Sequence, residues 1–342
     1  CTAPFGMSDA RSDGTNIRDA HRTLSGDLSL RVKEQARRLG VSAASVSHVA
    51  WAQVLSRVSG RGDVVFGTVL LGRMGGEEGL EGVMGLFINT LPMRVKVSEG
   101  GAEERVRAAH RLLAELLEHE HAALAVAQRA SGVKAPSPLF AALLNYRHSS
   151  TGEQREGAER GWEGVEFLGA EERSNYPVAL SVDDWGTGMG LVAQVQEPAS
   201  AELVCELMAR ALEVLVEALE NSPEAKLSSL DVLPASEARR QLLEWNATSA
   251  EYPREKCLHE LFEQRVLEQP EGVALVEGER EVTYRELNER ANQLSRYLTS
   301  SGVKVGERVA LVLPRSVELV VAELAVLKSG AAYVPLDESA PA

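Results

Sequence analysis

The chain has few of the residues that build disulfide frameworks, zinc sites and membrane spans. Its three cysteines, Cys1, Cys205 and Cys257, are too few and too widely spaced for a disulfide framework or a zinc site. This scarcity favours a reducing, cytoplasmic setting. No apolar run approaches the ~18 residues that a membrane span requires, and no basic and then apolar signal segment opens the chain. The composition therefore predicts no association with a membrane.

Basic residues are also fewer than acidic residues. Lys and Arg number 36 against 50 Asp and Glu, which gives a net charge of −14 at pH 7. A nucleic-acid surface needs a basic stripe, so this balance argues against nucleic acid as a partner. The rest of the composition, 44% hydrophobic and 25% charged over 342 residues, is ordinary for a soluble chain of about two domains.

The motifs of a self-contained active site are missing as well. The chain has no phosphate-binding Gly-x-x-x-x-Gly-Lys-Ser/Thr loop. None of its seven histidines begins the His-His pair with a downstream Asp-Gly that a histidine-based acyltransferase uses. His119 and His121 are predicted on one helix, where a spacing of two residues turns their side chains apart by about 200°. No metal site is therefore predicted.

The stretch that stands out is Asp63–Val97. Val64–Leu71 is an almost continuous apolar run, as in a strand buried on both faces, whereas Leu86–Val97 becomes alternating, as in a half-buried strand. A glycine-rich, acidic loop separates the two runs. Packing alone does not require three residues of the second run, Asn89, Thr90 and Arg94, or Gly85 just before it.

The pattern on either side of this stretch predicts an α/β layer, a mixed sheet flanked by helices. Cys1–Gly26 has no periodicity and is predicted to be a loop. Helices are predicted at Asp27–Leu39, Ser42–Val58, Ala102–Arg129 and Ser200–Glu220. Further strands are predicted at Leu139–Tyr146, Val165–Leu168, Val178–Val182 and Met189–Gln196.

The pattern changes after Asn221. The connector Leu227–Pro253 is half apolar, and six of its side chains are expected to be buried: Leu230, Val232, Leu233, Leu242, Leu243 and Trp245. From Cys257 the order is helix, hairpin, helix, strand, helix, strand, which is the start of a βαβ sheet. These elements are predicted at His259–Gln269, Val273–Val276, Glu281–Thr283, from Thr283 to Gly302, Arg308–Leu313, Ser316–Ser329 and Ala331–Val334.

Strings in this last part resemble the opening of an adenylation domain of a nonribosomal peptide synthetase. Leu258–Glu263, followed by Gln269-Pro270, resembles the entry helix of that family, and Thr283–Leu287 matches its first core motif. Leu327–Asp337 matches the second core motif, with Ser329 where Ala is usual. The connector strings Leu242–Thr248 and Tyr252-Pro253 are similar to the family's linker between a condensation domain and an adenylation domain.

The first part is similar to the C-terminal half of a condensation domain. Asp63–Thr68 with Gly72-Arg73 matches one stretch of that family, and Gly85–Leu91 with Arg94 matches its fifth core motif. Pro138–Phe140, leading to Asn145–His148, resembles the strand that passes the acyl tunnel. The family more often has Gln-Asn where Arg147-His148 stand, and this departure leaves the condensation subtype open.

The resemblance covers the whole chain and implies a fold. The fold class is α/β, the C-terminal subdomain of a chloramphenicol-acetyltransferase-like condensation fold followed by the βαβ start of an ANL-type adenylation domain. It implies a condensation half at residues 1–223, a linker at 224–256 and the beginning of an adenylation domain at 257–342. Because the first residue is not Met and the last strand has nothing to pack on, we expect a fragment of a longer polypeptide.

The resemblance also implies a chemistry. A condensation domain joins two acyl chains held as thioesters on phosphopantetheine arms, with a His-His-x-x-x-Asp-Gly motif that this sequence lacks. The implied partners are donor and acceptor carrier-protein domains and the rest of the adenylation domain. The full-length synthetase would use phosphopantetheine, ATP and Mg²⁺, whereas the fragment itself is expected to bind no cofactor and to be inactive.

The candidate site residues follow from the same resemblance. The substrate-tunnel candidates are Asn89, Arg94 and His148, with Thr68 and Arg73 steadying the adjacent strand; no catalytic residue is assigned. The alternative is structural: Asn89 and Thr90 satisfy backbone groups at a strand entry, and Arg94 is a solvated edge residue. The motif residues expected to be structural are Gly85, Thr90, Thr283, Tyr284, Glu286, Lys328, Gly330, Tyr333 and Asp337. Lys328 is expected to stabilise the C-terminus of its helix.

Two other functions stay open on the sequence. One is a non-catalytic recruitment or scaffold module of the same fold, which would differ in the half that carries the histidine motif. The other is a free-standing acyltransferase, against which the adenylation-like segment from Leu258 argues. The amino acid selected, the stereochemistry and the peptide product are not encoded in this stretch.

Overall fold

A computed structural model describes residues 2–8, 16–72, 85–134, 137–148 and 174–337. The chain divides into two compact units, Cys1–Ala247 and Thr248–Ala342. The predicted strand Val165–Leu168 and Arg73 lie outside the described residues. None of the described helices is both long enough and apolar enough to cross a bilayer.

The first unit consists of a sheet and the helices that pack on it. Its strands are β1 Ile17–Thr23, β2 Asp63–Leu70, β3 Asn89–Lys96, β4 Ala142–His148, β5 Val178–Asp184 and β6 Met189–Gln196. Its helices are α1 Gly26–Leu39, α2 Ala43–Ser59, α3 Ala102–Glu118, α4 Leu124–Ala130, α5 Ala201–Asn221 and α6 Ala235–Arg239, the last continued by a π-helical turn at Arg240–Glu244.

Local signals in the sequence set the ends of the main helices. The hydroxyls of Ser25, Ser42 and Ser200 each accept a hydrogen bond from the amide three residues on, which caps α1, α2 and α5. Gly40 and Gly60 adopt left-handed φ values of 64° and 67° at the C-caps of α1 and α2. The predicted ends of these helices are therefore confirmed to within two residues.

The six strands form one sheet in the order β1-β6-β5-β4-β2-β3. At its centre β2, β4 and β5 run parallel, with Leu144 opposite Thr68 and opposite Leu180. The outer pairs β5–β6, β6–β1 and β2–β3 are antiparallel. A parallel centre with antiparallel margins is a common mixed arrangement for an α/β layer.

One side of this sheet carries the core of the unit. On β4 and β5 alternate residues, among them Leu144, Leu180 and Val182, are fully buried and join one cluster with the apolar stripes of α1, α2, α3 and α5. Helix α2 is buried along most of its length, with Trp51 and Leu55 inaccessible to solvent. Burial of this layer is the main stabilising term of the unit, since each large apolar side chain contributes about 1.5–3 kcal/mol.

The residues that alternate with this layer point to the opposite side. The half-buried surface that they form is named the open face. It consists of Leu143, Asn145 and Arg147 on β4, Ala179, Ser181 and Asp183 on β5, and Val192 and Gln194 on β6. Toward β2 this side is closed more tightly. Phe140 is buried there and stacks on Tyr176, with ring centroids 5.5 Å apart.

Two predictions for the first unit are wrong. The predicted N-terminal loop contains β1, in which only Ala20 is buried, so the strand shows no apolar alternation and is fixed by pairing along β6. The helix predicted at Ala102–Arg129 is instead two helices. The first, α3, ends at Glu118, and the second, α4, begins at Leu124. His119 is the C-cap, so the argument from helical spacing does not apply to His119 and His121.

The connector is only partly buried. Val232 is buried, and Leu230 packs against the core of the first unit. The nearby backbone is held by side chains of α2, where Arg57 Nη2 donates to the carbonyls of Ser228 and Leu230 at 2.7 and 2.9 Å. The predicted burial of three further side chains is wrong, since the exposed fractions of Leu242, Leu243 and Trp245 are 71%, 63% and 59%.

The second unit contains α7 Leu258–Glu268, β7 Val273–Glu277, β8 Arg280–Thr283, α8 Tyr284–Ser300, β9 Arg308–Leu311, α9 Val317–Lys328 and β10 Ala332–Pro335. The predicted hairpin β7–β8 is confirmed, as is the βαβ arrangement, because β9 and β10 pair in parallel. Small apolar clusters join α8 and α9 to the two pairs of strands.

A testable consequence concerns Gly67 in β2. A Cβ at this position would lie 2.5 Å from Leu143 Cδ2, 2.5 Å from Phe140 Cε2 and 2.8 Å from Thr90 Cγ2. We expect Gly67→Ala to lower the free energy of unfolding by about 1–3 kcal/mol through overpacking. Urea unfolding followed by tryptophan fluorescence measures this change, since all four tryptophans lie in the first unit.

The matched control is Gly26→Ala at the start of α1. A Cβ there meets no atom within 4 Å, and the φ of Gly26 is not left-handed. We expect this variant to stay within about 0.5 kcal/mol of the unsubstituted chain. Equal unfolding midpoints for the two variants would contradict the tight packing around Gly67.

Candidate functional site

Ionisable residues gather where β4 and β5 end. Asp184, the last residue of β5, is 6% exposed and receives Lys33 Nζ of α1 at 2.6 Å on Oδ1. Tyr146 Oη donates to its Oδ2 at 2.7 Å, and the amide of Gly186 donates to Oδ1 at 2.9 Å. His148 Nδ1 lies 3.6 Å from Oδ2, within ion-pair range but beyond a hydrogen bond.

These contacts fix the charge of the cluster. Burial alone would raise the pKa of Asp184, but the hydrogen bonds from Lys33 and Tyr146 outweigh it and hold that pKa below its usual range. Burial, and then the bond to Asp184, raises the pKa of Tyr146, so the phenol keeps its proton. Asp184 is therefore an ionised carboxylate that joins α1 to the carboxyl end of β4. At the carboxyl ends of parallel strands α/β proteins commonly bind ligands.

Arg94 lies on the other side of the sheet, in β3. Its guanidinium contacts the Asp63 carboxylate of β2, with Nε 3.0 Å from Oδ1 and Nη2 2.6 Å from Oδ2. The hydrogen bonds from Arg94 lower the pKa of Asp63. Both side chains are partly exposed, 65% and 42%, and they border an open groove of about 710 Å³ that Pro92 and Leu139 also line.

Asn89 is placed differently, at the start of β3 on the helix side of the sheet. Its Nδ2 donates to the carbonyls of Glu120 and Ala122, both at 2.8 Å, and its Oδ1 accepts from the amide of Thr90 at 2.9 Å. These bonds satisfy carbonyls in the turn between α3 and α4. Asn89 therefore ties the segment that follows α3 to the sheet.

A buried histidine lies beneath β2. His48 of α2 is 2% exposed, with Nδ1 2.7 Å from the carbonyl oxygen of Ala44 and Nε2 2.7 Å from Thr68 Oγ1. Nδ1 therefore carries the proton, and Nε2 accepts a hydrogen bond from the Thr68 hydroxyl. Burial lowers the pKa of His48 to about 4. Thr68 thus joins β2 to α2 through the neutral side chain of His48. His48 was not singled out from the sequence.

The family model for the condensation domain matches residues 8–243, more than half of the chain. The chain belongs to the condensation-domain family. The model for the AMP-binding enzyme matches residues 262–342, so a condensation-domain segment is followed by the start of an AMP-binding domain. The two matches fall on the two compact units, which divide after Ala247.

Curated relatives extend this assignment along the chain. Malpibaldin synthetase from Mortierella alpina is 48% identical over 339 residues, covering 99% of this chain and 6% of that protein. Bacitracin synthase 3 from Bacillus licheniformis is 32% identical over 321 residues, covering 92% of this chain and 5% of that protein. The chain thus spans only 6% and 5% of the lengths of these two relatives, both peptide synthetases.

A solved structure shows the same fold. A four-domain holo nonribosomal peptide synthetase bound to AMP and glycine superposes with a TM-score of 0.68 at 20% identity, covering 99% of this chain and 26% of that one. At this identity the likeness concerns the fold alone. The predicted fold class, a condensation-type α/β fold followed by the start of an adenylation domain, is confirmed.

The motif residues of the AMP-binding segment hold its helices and strands together. Thr283 Oγ1 accepts from the amide of Glu286, and Glu286 Oε2 accepts from the amide of Thr283, which confirms the predicted capping box. Tyr284 contacts Phe262 of α7, with ring centroids 5.9 Å apart. This segment begins α8 and anchors it to the preceding helix.

Lys328 closes α9 and also joins it to two other helices. Its side chain is 5% exposed and contacts the carboxylate of Glu263 in α7, and its Nζ donates to Asn288 Oδ1 in α8 at 2.9 Å. Gly330, with a φ of 79°, turns the chain into β10. Tyr333 of β10 packs on a small apolar cluster, and Asp337 is exposed after the strand.

The three predicted tunnel residues are not brought together. Asn89 and Arg94 are five positions apart on β3, about 17 Å, and their side chains leave opposite faces of the sheet. His148 closes β4 and is 62% exposed on its side chain. Gly85 is exposed, and Thr90 is half-buried beside Gly67.

A second prediction tests Asn89. Asn89→Ala removes the donor to two carbonyls in a half-buried turn, so we expect the free energy of unfolding to fall by about 1–3 kcal/mol. Asn246→Ala is the control, because Nδ2 of Asn246 also donates to two carbonyls, at 2.8 and 3.2 Å, but is exposed. We expect a change below about 0.5 kcal/mol for the control. Similar urea midpoints for both variants would disprove the role of Asn89.

A third prediction concerns pH. The pKa of His48 is about 4 in the folded chain and about 6.5 when unfolded, so the unfolded chain takes up the proton first as pH falls. Stability is therefore complete above about pH 6.5 and decreases toward pH 4, by about 3 kcal/mol at most. We expect His48→Gln to flatten this part of the unfolding-against-pH profile, as measured by urea titrations.

The exposed residue His21 of β1 provides the matched substitution. His21→Gln removes an exposed imidazole instead of a buried one, so we expect the slope between pH 6.5 and 4 to persist. A slope unchanged by His48→Gln would assign the acid sensitivity to other groups.

Proposed function

We propose that this chain works within a nonribosomal peptide synthetase that forms peptide bonds between carrier-bound thioesters and activates an amino acid with ATP. The observation that carries the proposal is the order of the two family matches, 8–243 and then 262–342, on one continuous chain. We assign residues 1–223 to the condensation half, 224–256 to the linker and 257–342 to the adenylation domain, and we expect a cytoplasmic location.

The proposed condensation step balances without an added reagent. The amine nitrogen of the acceptor forms a bond to the donor carbonyl carbon, the carbon–sulfur bond breaks, and the proton lost by the amine leaves with the released thiol. Both substrates stay on carrier-protein domains through phosphopantetheine arms. The residues of this chain are proposed to orient the bound chains, with Asn89, Arg94 and His148 as the tunnel candidates.

The described contacts suggest how each candidate acts. Arg94 and its partner Asp63 border the groove of about 710 Å³. Because the two side chains form an ion pair, they offer hydrogen-bonding groups to the groove without a net charge. His148 is exposed beside the ionised Asp184. Asn89 acts through the turn that it binds, at Glu120 and Ala122.

ATP and Mg²⁺ belong to the adenylation activity of the proposed synthetase. Within the described ranges no cluster of three or more His, Cys, Asp or Glu side chains is arranged to hold a metal ion.

The experiment is a condensation assay on the intact synthetase that contains this chain, with donor and acceptor carrier domains loaded as thioesters. We expect an amide-linked product on the acceptor carrier, detected by mass spectrometry. This chain expressed alone should give neither that product nor amino-acid-dependent pyrophosphate exchange. Exchange by the chain alone would overturn the proposed boundaries, and an intact synthetase that binds carriers without joining their chains would indicate a recruitment module.

The same assay distinguishes a role for Arg94 in the tunnel from that of a solvated edge residue. We expect Arg94→Gln to lower the condensation rate while the free energy of unfolding changes by less than about 1 kcal/mol, as for other exposed pairs. Arg18→Gln is the control, since Arg18 Nε contacts Glu197 Oε1 at 2.8 Å in a similarly exposed pair. Equal rates for both variants would make Arg94 a solvated edge residue.

A further inference from the structure

Strand β3 forms one edge of the six-stranded sheet. In the part of the chain that the structure describes, β2 is the one strand that pairs with it. The amide of Val97, just past β3, donates to the carbonyl of Gly62 at 2.8 Å. Because bonded and non-bonded pairs alternate along an antiparallel ladder, the backbone groups of Lys96 and Arg94, one and three positions earlier, point away from β2. These outward donors and acceptors are available to a further strand.

Pro92 fits the same alternation. It falls on an outward position, where its missing amide hydrogen removes no bond to β2. Proline and charged side chains on an edge strand also hinder unwanted pairing between sheets. The surroundings of the edge therefore decide whether it is a protected edge or a binding edge.

A groove of about 200 Å³ lies between this edge, at Arg94–Lys96, and helix α3. The residues of α3 that line it are spaced by three, four and seven positions, so they share one side of the helix. They are Arg105, Ala108, Ala109 and Leu112. An edge strand with a groove beside it is the setting in which an extended peptide joins a sheet as an added strand, and the two alanines leave room for its side chains.

The charge of the groove defines the partner. Among the described residues that line it, Arg94, Lys96 and Arg105 are cationic and none is acidic, although the whole chain has a net charge of −14. The side chain of Arg105 is 16% exposed, and its Nε is buried without a hydrogen-bond partner in the described parts of the chain. An unbonded buried donor is unfavourable, so Arg105 favours a ligand that brings an acceptor. Lys96 contacts Glu99 in an exposed pair at 3.1 Å, which an incoming carboxylate can replace.

We propose that the groove between β3 and α3 binds an extended peptide segment of a partner protein in which acidic and small apolar residues alternate. Side chains of an added strand point alternately to its two sides. The acidic side chains then lie across from Arg94 and Lys96, whereas the small apolar side chains pack toward Ala108 and Leu112 of α3. The backbone of the segment pairs with the outward groups of β3. This surface is separate from the chemistry of the proposed condensation reaction.

The test uses the 342-residue chain and a fluorescein-labelled peptide with three repeats of Glu-Val. We expect a saturable increase in fluorescence anisotropy, and binding at least tenfold weaker for the Lys-Val peptide of the same length. Hydrogen exchange of the Arg94 and Lys96 amides should become slower in the complex, because these amides then donate to the added strand. Amides of β1, the opposite edge of the sheet, should exchange at unchanged rates.

Two substitutions test the walls of the groove. We expect Arg105→Gln to raise the Kd of the Glu-Val peptide about three- to tenfold, as for the loss of one charge-assisted hydrogen bond. Ala108→Trp should fill the groove and abolish the slower exchange at Arg94. Ala108 is half-buried, so circular dichroism establishes that this variant folds. Should it not fold, Arg105→Gln and the exchange of the unsubstituted chain still decide the outcome.

Arg18→Gln is the matched control, because Arg18 lies on the opposite edge strand and forms an exposed pair with Glu197. A Kd raised equally by Arg18→Gln and Arg105→Gln would overturn the proposal in favour of non-specific attraction between charges. Binding without slower exchange of the Arg94 and Lys96 amides would overturn it as well. If the Glu-Val peptide does not bind at all, β3 is a protected edge.

Discussion

Burial of one side of the six-stranded sheet against α1, α2, α3 and α5 is the constraint on which the first unit depends. Leu144, Leu180 and Val182 on the central strands meet Trp51 and Leu55 of α2 in one continuous apolar cluster. Because side chains alternate along a strand, fixing this layer also fixes what points the other way. Asn145, Ser181 and the Arg147–Asp183 pair reach the open face for that reason.

The polar contacts of the unit extend the same arrangement beyond the apolar layer. His48 donates to the backbone of its own helix and accepts from Thr68 of the sheet. Asn89 binds the turn between α3 and α4, and Asp184 joins Lys33 of α1 to Tyr146 of β4. Each contact joins a helix or turn to a strand, so each makes the position of the helices depend on the register of the sheet.

The second unit combines one local contact with two kinds of contact between distant parts of its sequence. A capping box begins α8, a buried lysine joins α7, α8 and α9, and parallel pairing of β9 and β10 completes a βαβ element. The capping box joins residues three positions apart, which is why the motif Thr283–Leu287 could be interpreted structurally before any tertiary contact was known. The contacts of Lys328 reach 65 and 40 residues back along the chain, to Glu263 and Asn288, and required the tertiary structure.

The sequence by itself determined the family, the order of the two segments, and the elements with strong local signals. Ser25, Ser42, Gly40 and Gly60 mark helix ends through their own conformations and caps, which require no distant partner. Only the tertiary structure decided β1, the break after Glu118 and the exposure of Leu242, Leu243 and Trp245. It also decided that Asn89 binds the carbonyls of Glu120 and Ala122 and that Arg94 pairs with Asp63, because contacts between residues far apart in sequence leave no local pattern.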